Sequence, residues 1–161
     1  MRQFVCFICY FAIINIGCSH IIHAQTQVAS RGETLVSAIV RKTKVLVKIK
    51  THEIDIGKPS DQRPSEINSS CTYSKYPCSI VDRLDILIDG NALFIPRSAY
   101  CDLADLNYAE VYAIEEGAAL ILYGADASES YIVKIEFNTE QVKRRTFSGA
   151  MSPDQPLQET I

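Results

Sequence analysis

Few side chains here stand at spacings that do chemistry, and those that do are carboxylates, a histidine and a group of cysteines. His52 lies beside Glu53 and Asp55, a set that could exchange protons. All three fall on an alternating segment, where His52 points to one face while Glu53 and Asp55 share the other. The sequence therefore favours a partly exposed histidine at a bulge over an acid–base cluster. Asp126, Ser128, Glu129 and Ser130 gather oxygens in one short loop. Calcium wants about six or more oxygen ligands and, in the best-known loop design, a glycine at the sharp turn. The acidic spacing does not match, and no glycine follows Ser130. A polar inter-strand loop explains these residues better, with Asp126, Ser128 and Glu129 kept as functional-loop candidates. No Gly-x-Ser-x-Gly elbow, Walker loop or His-Glu-x-x-His helix occurs. An enzyme would have to work with one histidine or with carboxylates alone, and no metal or cofactor is expected.

Cys71, Cys78 and Cys101 follow the N-terminal segment. Pairing Cys71 with Cys78 closes a small ring around Thr72-Tyr73-Ser74-Lys75-Tyr76-Pro77. A bridge to Cys101 is the rival, and spacing does not decide between them. Without a CxxC pair, a structural disulfide outweighs a metal or redox role. The preferred reading is a Cys71–Cys78 bridge with Cys101 outside it, on a candidate helix and semi-buried at most.

A disulfide needs an oxidising compartment, and the first 24 residues point to one. Arg2 supplies a positive start, the stretch from Phe4 to Ile16 is nearly all apolar, and Ala24 precedes the polar run Gln25-Thr26-Gln27. That order reads as an export signal cleaved after Ala24. The apolar run is shorter than the roughly 20 residues a membrane-spanning helix needs. Cys6 and Cys9 lie inside it as small hydrophobes. Ile16-Gly17-Cys18 resembles the end of a lipobox, although Asn15 stands where leucine is usual. Lipidation at Cys18 is therefore the alternative and the one expected route to a membrane.

Removing 24 of the 161 residues leaves 137, which suits one domain with a core. The remainder carries 15 basic and 19 acidic residues, a balance of −4 that argues against nucleic acid as a partner. Arg41, Lys42, Lys44, Lys48 and Lys50 cluster early, and Lys143-Arg144-Arg145 comes late. Residues 82–129 hold ten acids against Arg83 and Arg97. Such blocks can meet as cross-strand pairs or form opposed surface patches, with solvated faces the plain reading. Asn68-Ser69-Ser70 matches a glycosylation sequon, which matters only in a eukaryotic source.

These residues sit among short alternating segments. Residues 25–33 read as a loose lead-in. Val45, Val47 and Ile49 alternate with Leu46, Lys48 and Lys50, and the parity then flips to Ile54 and Ile56, which predicts a bulge near Thr51-His52-Glu53. Residues 57–70, with Pro59 and Pro64, form the longest loop candidate. Leu84, Ile86 and Ile88 alternate up to Gly90-Asn91, which predicts a two-residue hairpin turn setting Ile88 opposite Leu93, Ile86 opposite Ile95 and Leu87 opposite Phe94. Ser98 is placed to cap a short helix over residues 99–106. Residues 110–114 and 118–123 predict a second hairpin about Glu116-Gly117. Tyr131, Val133, Ile135 and Phe137 form a further strand, turned by Asn138-Thr139-Glu140 into residues 141–147. The tail Ser152-Pro153-Asp154-Gln155-Pro156 reads as extended or mobile. The expected fold is mainly β: a single antiparallel β-rich domain, sandwich or open barrel, with one short helix.

Ile95-Pro96-Arg97-Ser98-Ala99-Tyr100-Cys101-Asp102-Leu103 and Gly124-Ala125-Asp126-Ala127-Ser128-Glu129-Ser130-Tyr131 resemble segments of uncharacterised exported bacterial proteins. The resemblance covers about a third of the chain. It implies a bacterial envelope location and carries no activity. The functional expectation is an exported, periplasmic or secreted, non-catalytic module that binds another protein, of inhibitor or immunity type. A structural envelope subunit and a carboxylate-based hydrolase are the alternatives.

Overall fold

The computed structural model describes residues 25–58, 70–72 and 75–160. Residues 1–24, read above as an export signal and including Cys18, lie outside those residues, as do Asn68 and most of the 57–70 loop. In chain order the strands are β1 (Thr26–Gln27), β2 (Gly32–Val40), β3 (Thr43–Ile54), β4 (Cys78–Ile88), β5 (Asn91–Leu93), β6 (Leu106–Ile114), β7 (Gly117–Gly124), β8 (Tyr131–Phe137), β9 (Val142–Gly149) and β10 (Pro156–Thr160). They form two antiparallel sheets, a smaller one ordered β2-β3-β4-β5 and a larger one ordered β1-β6-β7-β8-β9-β10. Alternation decides which side chains meet between them. Val45, Val47 and Ile49 of β3 and Leu84, Ile86 and Ile88 of β4 face Leu120 and Leu122 of β7 and Val133, Ile135 and Phe137 of β8 in one continuous core. This is a mainly β domain of two sheets sharing a core, not a closed barrel.

The bulge is present but lies on β4. Lys50 pairs with Arg83 and Thr51 with Val81, so Asp82 is the extra residue. The inward series of β3 therefore runs on through buried Thr51. The apolar flip to Ile54 and Ile56 marks a second, smaller cluster, where they pack with Cys71, Cys78 and Ala104.

The β4–β5 turn falls one residue earlier than the sequence suggests. Asp89 and Gly90 take the positive φ angles, 50° and 87°, and Ile88 pairs with Asn91, Leu87 with Ala92 and Ile86 with Leu93. Facing is preserved, because the pairing moves by two residues. Phe94 loses its expected partner Leu87 and stands 80% exposed beyond the end of β5.

The expected helix over residues 99–106 is also corrected. A 3-10 helix spans only Arg97–Ala99, with Pro96 and not Ser98 at its N-cap. The chain then runs extended along β4: Ile80 bridges Ala104, Val81 N–H donates to Leu103 O at 3.1 Å, and Asp105 N–H to Ser79 O at 2.6 Å. This crossover lays buried Ala99 and Leu103 into the core. There Tyr131 stacks on Phe147 with ring centroids 4.9 Å apart, donates its hydroxyl proton to Ala104 O, and accepts from Ala104 N–H. Gly124 lies opposite Tyr131, and a side chain at that position would collide with the ring. The lead-in and the tail pair as well, through β1 on β6 and β10 on β9.

Candidate functional site

The cysteines come together as Cys71–Cys78, with Cα atoms 5.7 Å apart and both side chains buried. Cys101 is outside the bridge and is exposed, while its neighbour Leu103 takes the core position. The bridge covers the second apolar cluster and fixes the entry to β4. An entropic estimate for so small a ring is about 2 to 3 kcal/mol. Replacing both cysteines by alanine is expected to lower unfolding free energy by that amount in urea titrations. An unchanged midpoint would show that packing alone holds this corner.

His52 does not meet Glu53 or Asp55. Its Nδ1 lies 2.6 Å from Asp82 Oδ1, on the neighbouring strand at the bulge. Ser30 Oγ donates to Glu53 at 2.8 Å, and Gly57 N–H to Asp55 at 2.9 Å. Among the described residues no hydroxyl or thiol donates to the His52 ring. The Asp126, Ser128 and Glu129 loop is an exposed 3-10 turn over Ala127–Glu129, closed by Glu129 N–H on Asp126 O at 3.0 Å. Among the described residues no three His, Cys, Asp or Glu side chains converge as a metal site. Burial pushes the Tyr131 phenol up, and burial, then the bond to Glu110, pushes Tyr123 up to about 12. Both hydroxyls stay protonated near neutral pH.

The charge blocks separate into different structural roles. Arg144 donates to Glu136 across β9 and β8 at 2.9 and 3.1 Å and holds that carboxyl below its ordinary value, with Lys134 adding to the effect. Arg145 points the other way, into the core. Its Nη2 lies 2.8 and 2.7 Å from the Asp102 oxygens, its Nε donates to Ala99 O at 3.1 Å, and its Nη1 to Gln158 at 3.2 Å. Asp105 is buried completely, taking Thr72 N–H at 2.8 Å and Ser79 N–H at 2.9 Å, with Lys75 Nζ at 3.9 Å. These two buried charges hold segments together and offer no open face for a substrate.

What remains open is the outer face of the smaller sheet. Register places Leu35 beside Lys48 and Asp85, Ser37 beside Leu46, Leu87 and Ala92, and Ile39 beside Lys44. Leu35 is 54% exposed and Ile39 78%, both on the outermost strand. At the opposite edge, β5 leaves β4 after Leu93, and the chain returns only at Ala104. Residues 82–85 therefore border a groove of about 490 Å³ whose other wall is Phe94, Ile95 and Tyr100. Arg83 and Asp85 pair there at 2.8 Å, a bond that raises the guanidinium further above its ordinary value. The face therefore presents an apolar strip with lysines along it and an aromatic at the rim. The alternation of β3 made its half of this face readable, but β2 gave no comparable signal. No family model, curated protein or solved structure matches this chain.

Proposed function

We propose that this is a non-catalytic protein-binding module, exported to the bacterial periplasm or secreted, of inhibitor or immunity type. The observation that carries the reading is the outer face of the β2–β5 sheet. It holds Leu35 and Ile39 in water on the hydrogen-bonded strand β2, with Phe94 exposed just past the end of β5. Large exposed side chains on ordered strands cost little entropy to bury against a partner. The buried Cys71–Cys78 bridge suits an oxidising compartment and so supports export. Partners with acidic rims would complement Lys44, Lys48 and Lys50.

The test is capture from an envelope extract by the wild-type protein and by a Leu35→Ser, Ile39→Ser, Phe94→Ser variant. These positions lie outside the core, so the variant is expected to keep its melting temperature and lose a stoichiometric partner. Self-assembly alone would support a structural subunit built through strand edges. Hydrolysis abolished by Asp126→Asn and Glu129→Gln would support the carboxylate enzyme. Fractionation tests location: residues 1–24 retained on a cytoplasmic product would end the export reading, and globomycin-sensitive processing would place a lipid on Cys18.

A further inference from the structure

The hairpin turns at one end of the two sheets surround a cavity of about 150 Å³. Val40, Val45, Ile88, Ala118 and Phe137 form its walls, and Arg41 stands at its mouth. The pocket opens to solvent, and Thr43, Asn138 and Thr139 line it alongside the apolar walls. The Arg41 position is conformationally costly. Arg41 and Lys42 form the two-residue β2–β3 turn with φ of 49° and 78°, where Asn-Gly or Asp-Gly is usual. The adjacent β4–β5 turn uses Asp89-Gly90 for the same geometry. Backbone strain retained at a cavity mouth is a sign of use. One Arg41 Nη1–H donates to Glu115 O at 2.7 Å, which aims the side chain across the opening. Among the described residues the guanidinium pairs with no carboxylate, so its charge is not neutralised locally.

We infer that this cavity binds a small apolar carboxylate, the hydrocarbon part inside and the carboxylate on Arg41. The pairing is chemically specific. An apolar pocket supplies area but no orientation, and a guanidinium at its rim supplies a forked donor for a planar anion. Gly117 lines the pocket where the β6–β7 turn passes close to the Phe137 backbone, leaving no room for a side chain there. The site lies at the turn end of the molecule and does not depend on the protein-binding face. A free acid and the terminal carboxylate of a peptide present the same chemistry.

Amide chemical shifts of Gly117, Ala118 and Phe137, titrated with benzoate and 4-methylpentanoate, test this directly. Saturable shifts are expected, with benzamide binding at least tenfold more weakly. Arg41→Asn, which tolerates the turn geometry, is expected to weaken both acids at least tenfold, while Lys42→Asn leaves them unchanged. A leucine-terminated peptide, compared with its amidated form, separates the two sources, and either preference supports the site. Absence of saturation, equal binding of benzamide, or equal loss in Lys42→Asn overturns the inference.

Discussion

Asp105→Ala is expected to lower the unfolding free energy by about 3 to 5 kcal/mol, one of the two largest effects in this protein. The carboxylate is wholly buried and accepts the N–H groups of Thr72 and Ser79, with Lys75 nearby. Removing it leaves two buried donors unsatisfied and a lysine without its counter-charge. The same residue joins three segments, because Asp105 N–H donates to Ser79 O and Asp105 O accepts Ala125 N–H at 3.0 Å. Asp105→Asn keeps the shape and tolerates the residue's φ of 51° but supplies only one acceptor. Its cost should fall between wild type and Ala, at roughly 1 to 3 kcal/mol. Urea unfolding measures both. A loss below about 1 kcal/mol in Asp105→Ala would mean that the two amides find water, and that the Asp105 carboxylate does not hold these segments together.

Local signals were legible where the partner was local. Cys71 and Cys78 lie seven positions apart, which made their bridge the preferred reading while Cys101 stayed a rival partner. The alternation of Leu84, Ile86 and Ile88, and of Tyr131 to Phe137, gave strands whose inward residues are the buried ones. The strand β2 was not legible, although Thr34, Val36, Ala38 and Val40 alternate. Leu35 and Ile39 put apolar groups on its outer face as well, which erases the period, and Arg41-Lys42 is not a recognisable turn pair. The crossover read as a helix because Leu103 and Leu106 stand three apart. The edge of β4 instead supplied backbone partners for residues 103–105, and pairing overrode the spacing. Asp105 and Arg145 were invisible for a related reason. Each is a charged residue in a polar-looking stretch, and its burial depends on acceptors or donors more than 25 positions away. The Arg41 cavity needs four hairpin ends brought together, which no single stretch of sequence announces.

Arg145→Ala is the second large effect, expected to cost about 3 to 5 kcal/mol. Arg145 is only 3% exposed and lies on the inward face of β9, opposite Ile135. It ties β9 to two other parts of the chain: the crossover, through the Asp102 carboxylate and Ala99 O, and β10, through Gln158. Its guanidinium also lies over Phe147, with Cζ 5.9 Å from the ring centroid. The larger sheet is wider than the smaller one, and the inward face of β9 is covered by the crossover instead of a strand, while the residues of β10 are exposed. Arg145 is the polar fastening of that cover. Truncation leaves Ala99 O buried without its donor and Asp102, about a third exposed, without its counter-charge. Arg145→Lys keeps the charge but not the planar fork, and it cannot reach Asp102, Ala99 and Gln158 together. It should recover less than half of the loss. Arg145→Met fills similar volume without a charge and tests the alternative that packing dominates. Near-wild-type stability in Arg145→Met would assign the effect to side-chain packing. Comparable losses in Met and Ala would assign it to the hydrogen bonds. Hydrogen exchange adds the spatial readout: amides of residues 97–103 and of β10 should lose protection in Arg145→Ala, while β3 and β4 keep theirs.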